Sequence, residues 1–169
     1  MEFVRKAVGL TLDYTPETLP ALDHYLGQVP KDQAEIATLI AAAAGAYFGE
    51  VARRACAGAW EDVTSPDPEP WLLRLAGGVA IHPIGIAIEA IAQDDTDGGG
   101  GFDVPDDLRE MIEDALVARG EVPEDEYYSL CGKLELLMYV VDLVVAARKP
   151  DDALEDDGDP DADDSTPPS

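Results

Sequence analysis

The sequence predicts an α+β fold, mainly helical, with a small antiparallel sheet and a single core. Three observations carry that prediction. Apolar residues recur every three or four positions through several long stretches, the signature of one-sided helices. Three short runs rich in β-branched, aromatic and leucine residues fall between positions 59 and 81, separated by proline and glycine signals. Finally, 169 residues with 46% hydrophobic content suit one globular domain rather than two.

Taken in order, residues 8–14 (VGLTLDY) alternate apolar with small or polar residues and read as a short strand. A helix follows: Thr15 is placed to cap it, Pro16 suits its first position, and Leu19, Leu22 and Leu26 line one face before Gly27. Residues 31–57 form a long helical pattern, with Ile36, Leu39, Ile40, Ala43, Tyr47, Val51 and Ala55 as its apolar stripe. Gly45 and Gly49 share a face of that helix. Glycine weakens a helix, so two at this spacing point to another backbone packed closely there.

AWEDV at 59–63, WLLRL at 71–75 and VAI at 79–81 read as three strands of a meander, with residues 10–14 as a candidate edge. Pro83 starts a helix through IGIAIEAIAQ at 84–93. DDTDGGGGFD at 94–103 reads as a mobile acidic loop. A helix is expected over 106–119, its core face carrying Leu108, Met111, Ile112, Ala115 and Leu116. The last helix is expected from about 123 to 149. It is apolar nearly all round, which marks it as the central, most buried one.

The charge is uneven. Of 36 carboxylates, nine lie in residues 150–169, which hold no base and four prolines. Such a segment buries too little surface to offset the entropy of ordering it, so it is expected to be a disordered acidic tail. Residues 1–149 are expected to be the single domain, and they keep a net charge of −16 out of the chain's −25. This acidity argues against direct binding to nucleic acid or to an anionic membrane. The N-terminus lacks a signal-peptide pattern, and the longest apolar run, 36–48, is short for a bilayer span. A cytoplasmic location is expected, with Cys56 and Cys131 as free thiols.

The chemistry-bearing motifs are sparse. GxxxxGK[ST], GxSxG, HExxH and CxxC are all missing from the chain. GGGGFD at 98–103 matches the calcium-repeat pattern GGxGxD only once, with Pro105 where an apolar residue belongs, and the EF-hand spacing fails. Two histidines, His24 and His82, are too few for a histidine metal site. Nothing implies a cofactor or a metal.

Glu50 precedes Arg53 and Arg54 by three and four residues, the spacing of an intrahelical ion pair. The sharper reading gathers Glu50, Arg54, Trp60 and His82 around one pocket beside the sheet as ligand-binding candidates. Three segments, LDYTPETLPALDHYL at 12–26, GAYFGEVARR with its following tryptophan at 45–60, and WLLRL through GGVAIHPIGIAIEAI at 71–91, together resemble small uncharacterised bacterial domains of unknown function. The resemblance spans most of residues 8–93 and implies a helix-rich α+β build, with no activity attached.

The functional expectation is a non-enzymatic protein that acts through protein–protein contact with a basic partner, as an immunity protein, an adaptor or a nucleic-acid mimic would. The alternative is a small enzyme or ligand-binding domain with a cleft near Glu50 and His82. A third reading gives the charge no role beyond solubility.

Overall fold

The computed structural model describes residues 13–61, 63–64, 71–94 and 100–149. The expected strand over 8–14 lies mostly outside them, as do the centre of the 94–103 loop and the acidic tail. A 3₁₀ turn, Pro16–Thr18, leads into helix α1 (Leu19–Leu26). Then come α2 (Ala34–Ala55), β1 (Gly58–Glu61), β2 (Leu72–Leu75), β3 (Ala80–Ile81), α3 (Pro83–Ala92), β4 (Phe102–Asp103), α4 (Arg109–Arg119), the single turn α5 (Glu124–Tyr127) and α6 (Leu130–Ala147). The strands form one antiparallel sheet in the order β1-β2-β3-β4.

The meander is therefore real; of the candidate edge at 10–14 only Asp13 and Tyr14 are among the described residues, and neither is in a strand. Tyr14 has φ 62 and is not extended, and the edge partner of β3 is Phe102–Asp103, pairing Ile81 with Phe102. Two residues cannot announce themselves as a strand by alternation, so the loop reading of 94–103 missed them. The tight β2–β3 connection uses Gly77 and Gly78, both at positive φ where a side chain would be strained.

α2 and α3 form the most extensive contact between elements. The two glycines make it possible. A Cβ on Gly45 would sit 2.6 Å from both the Ile84 Cα and the Pro83 carbonyl oxygen, and one on Gly49 would collide with the Trp60 indole. This close approach also corrects the apolar stripe expected for α2. The small residues Ala41, Ala44, Gly45 and Ala52 face the core together with Tyr47, Phe48 and Val51, whereas Leu39 is 71% exposed and Ile36 46%. α2 is long and apolar enough, by length and composition only, to cross a membrane, but its second half is packed into the protein's own core.

α3, not the last helix, is the most buried: among its ten residues only Ile88 and Ala92 are not fully buried. The last helix is also not continuous from 123. It breaks at Ser129, whose Oγ accepts from the Gly132 N–H at 2.9 Å. α1 supplies a second cap, because the Asp23 carboxylate accepts from the N–H groups of Leu130 (2.7 Å) and Cys131 (3.1 Å). An acid at a helix N-terminus satisfies orphan donors and complements the dipole. Thr15, expected to cap the first helix, instead donates its hydroxyl to Asp13 at 2.7 Å.

The buried residues of both helices and sheet form one cluster, from Leu19 to Val144. Cys56 is buried and free, and Cys131 is free and half-buried. Burial, reinforced by Asp142, pushes the Cys56 thiol up to about 11, and burial with the nearby Asp23 pushes Cys131 up to about 12. Both are protonated and weakly reactive at neutral pH.

The α2–α3 contact makes a direct prediction. Alanine is about 1 kcal/mol better than glycine within a helix, yet overpacking of this kind costs about 1–3 kcal/mol. Gly45→Ala is expected to lower the midpoint of urea unfolding. A raised midpoint would show that the two backbones separate without penalty.

Candidate functional site

Among the described residues, three cavities are large enough to consider. One of about 390 Å³ lies between the start of α2 and the end of α3, lined by Ala34, Ala37, Ala41, Ile88 and Ile91. It has shape but little chemistry, since Lys31 at its rim donates to the Ala92 carbonyl at 2.8 Å.

A second, of about 260 Å³, lies under α4, between Phe102, Ile112, Leu116, Tyr127, Lys133 and Val140. Its wall holds a buried ion pair, with Lys133 3% and Glu89 5% exposed. The Lys133 Nζ lies 3.3 Å from Glu89 Oε2 and donates to the Gly100 carbonyl at 3.4 Å, while the Tyr127 ring lies 4.2 Å beneath it. The Gly100 N–H donates to Glu89 Oε1 at 2.8 Å. Among the described residues the ammonium is held by Glu89, Gly100 and the Tyr127 ring, so Lys133 acts as a pin. It fastens α6 to α3 and to Gly100, just before β4. A lone glutamate inside the apolar helix α3, and a single lysine in the mostly apolar α6, were the available signal for this pair.

The third cavity, of about 350 Å³, is lined by Tyr14, Ala46, Glu50, Arg54, Trp60 and Trp71. It brings together three of the four residues the sequence singled out. Glu50 and Arg54 come from α2, on the turn beside Gly49. Trp60 comes from β1 and lies across Gly49, and Trp71 immediately precedes β2. The two indoles meet edge to face at 6.2 Å and 77°.

His82 is not part of this cavity. It sits half-buried at the end of β3, as the residue before α3, and makes no side-chain cap. The cavity adds three residues not assigned to the pocket from sequence, Tyr14, Ala46 and Trp71. Tyr14 lies in a region read only as strand, which hid its role.

The polar wall is tightly organised. Glu50 accepts from Arg53 Nε (2.8 Å), Arg53 Nη2 (2.9 Å) and Arg54 Nε (2.8 Å). Arg54 also donates to the Asp13 carbonyl at 3.3 Å and stacks over the Tyr14 ring at 4.7 Å. Tyr14 stacks in turn on Tyr47 at 5.0 Å, and its N–H donates to the Tyr47 hydroxyl at 3.0 Å. That hydroxyl also bonds the buried Thr18 at 2.5 Å. A non-glycine residue at φ 62 is uncommon and persists only where its surroundings hold it.

The Arg53 hydrogen bonds, followed by those of Arg54, hold the Glu50 carboxyl at about 2, well below its ordinary 4.5. A general base or acid needs a value near the working pH. Glu50 held this way is ionised throughout the physiological range and is a weak base, so its role here is to orient arginine.

A family model described as "Family of unknown function (DUF6278)" matches residues 2–94, and the chain belongs to that family. All six lining residues of the aromatic cavity lie within the matched stretch, whereas Lys133 lies outside it. Searches of the curated proteins and of the solved structures return no match.

Two predictions follow from these ion pairs. Lys133→Met alone leaves Glu89 buried without a counter-charge and is expected to cost about 3–5 kcal/mol. Adding Glu89→Gln should recover part of that loss in urea unfolding, and a double variant no more stable than the single one would refute the pin. For Glu50, the folded value lies below the unfolded one, so its contribution is complete above about pH 4.5 and disappears as pH falls toward 2. The stability difference between wild type and Glu50→Gln should therefore be flat above that pH and shrink below it. A difference independent of pH would rule out the arginine clamp.

Proposed function

We propose that this chain is a non-enzymatic, cytoplasmic protein that acts through protein–protein contact, docking a basic partner on α4 and the segment after it. One observation carries the reading. Asp103, Asp106, Asp107, Glu110, Glu113 and Asp114, then Glu121, Glu124, Asp125 and Glu126, are all exposed, with Arg109 and Arg119 the only bases among them. Glu110, Asp114 and Val117 are spaced to share one face of the helix, and Val117 is 81% exposed at the centre of this acidic field, with Met111 39% exposed nearby. Interfaces combine such an apolar contact with a charged surround that steers the partner in. Charge complementarity commits the partner to a basic protein. An adaptor or an immunity protein has this layout.

α4 is suited to the task because it contributes little else. Ile112 is its only buried residue, so its outer face is free to serve a partner at small cost to the core. The catalytic alternative loses its chemistry at Glu50 and His82, since the two do not line one cavity and Glu50 is clamped by arginine.

The test is capture from native lysate with two baits, wild type and Glu110→Gln/Asp114→Gln/Val117→Ser. Wild type should retain a basic protein that is released as salt rises to about 0.5 M. The variant should retain the same protein at least about ten-fold less. Equal retention by both baits, or retention indifferent to salt, overturns docking on this face.

A further inference from the structure

We propose that the aromatic cavity beside Glu50 is a binding site for a small molecule in which a planar ring carries a carboxylate. This inference is independent of the docking of a basic partner, because the cavity lies on α2 and the sheet rather than on α4.

The apolar part of the ligand is set by the walls. Trp60 and Trp71 stand nearly perpendicular, so together they offer a ring one face to stack on and one edge to abut, the two arrangements that aromatic rings favour. Tyr14 forms a third wall. A volume of about 350 Å³ lies at the small end of ligand pockets and fits a single ring with a short substituent.

The polar part is set by Arg54. Its Nε is spent on Glu50 and one Nη1 donor on the Asp13 carbonyl. Its plane is fixed over Tyr14. The side chain is still 49% exposed, and among the described residues no further acceptor reaches its remaining Nη donors. Glu50 is already shared by Arg53 and Arg54, and the Asp13 carboxylate also acts on Arg54, so what this wall offers a ligand is the remaining donor edge of the Arg54 guanidinium. A carboxylate fits that fork, whereas a cationic ligand would meet a donor there. Arg54 is held before any ligand arrives, so little side-chain entropy remains to be lost on binding. The backbone at Tyr14, at φ 62, is committed to the same arrangement.

The chain carries two tryptophans, Trp60 and Trp71, and both line this cavity, so indole fluorescence reports on it alone. Phenylacetate is expected to give a saturable fluorescence change with a Kd of roughly 1 mM. Phenylacetamide, which keeps the ring and loses the charge, should bind at least about ten-fold more weakly, as should acetate, which keeps the charge and loses the ring. Arg54→Gln should weaken phenylacetate by at least about ten-fold, with folding checked by circular dichroism. Arg54→Lys, which keeps the charge without the fork, should also weaken it and serves if the glutamine variant unfolds. Phenylacetamide binding as tightly as phenylacetate, phenylacetate binding unchanged in either arginine variant, or no saturable change with phenylacetate at about ten times the expected Kd overturns the proposal.

Discussion

The close contact between α2 and α3 is the constraint on which the rest of the structure depends. At Gly45 the backbone of α3 occupies the space of a missing side chain, and at Gly49, one turn on, the Trp60 ring does the same. The first contact brings two helices together closely enough that alanines are sufficient to fill the space between them. The second ties the sheet to the helix, because the ring comes from β1. Between them they decide which face of α2 is inward, so Leu39 is left in solvent while Ala41 and Ala44 are buried. They also build the aromatic cavity, whose polar wall is the next turn of the same helix and whose apolar wall is the ring lying across the glycine.

Polar groups join what apolar packing leaves loose. Asp23 reaches from α1 to the start of α6, and the Glu89–Lys133 pair ties α3 to α6 and to Gly100. Asp23 is half-buried, whereas Glu89 and Lys133 are deeply buried and costly to desolvate, and that pair is tolerated because its charges face each other and make further hydrogen bonds to Gly100. Their net stabilisation is small, but a wrong register would strand a charge, so they favour one arrangement over near alternatives. β4 gains most from this, since two residues hold an edge strand weakly on their own.

Charge is divided by place. The exposed carboxylates around α4 form a broad negative field, while the carboxylates at the cavity on α2 are balanced by Arg53 and Arg54 in the same molecule. A single net charge describes neither. The two regions therefore suit different ligands.

The sequence by itself determined the helix-rich α+β class, the three-stranded meander, the helix started by Pro83, the close backbone approach at Gly45 (at Gly49 a tryptophan ring fills the space instead), and the pairing of Glu50 with both arginines. Each of these is a local pattern, written in residues three or four apart or in a turn signal, and local geometry enforces it wherever the segment sits. Only the tertiary structure decided that Ile36 and Leu39 face outward, that Phe102 and Asp103 close the sheet, that α3 is the most buried helix, and that Tyr14 and Trp71 join Arg54 while His82 does not. Those outcomes depend on partners far away in the chain. Asp23 caps a helix 107 residues on, and no periodicity records which distant backbone will come to fill the space a glycine leaves open.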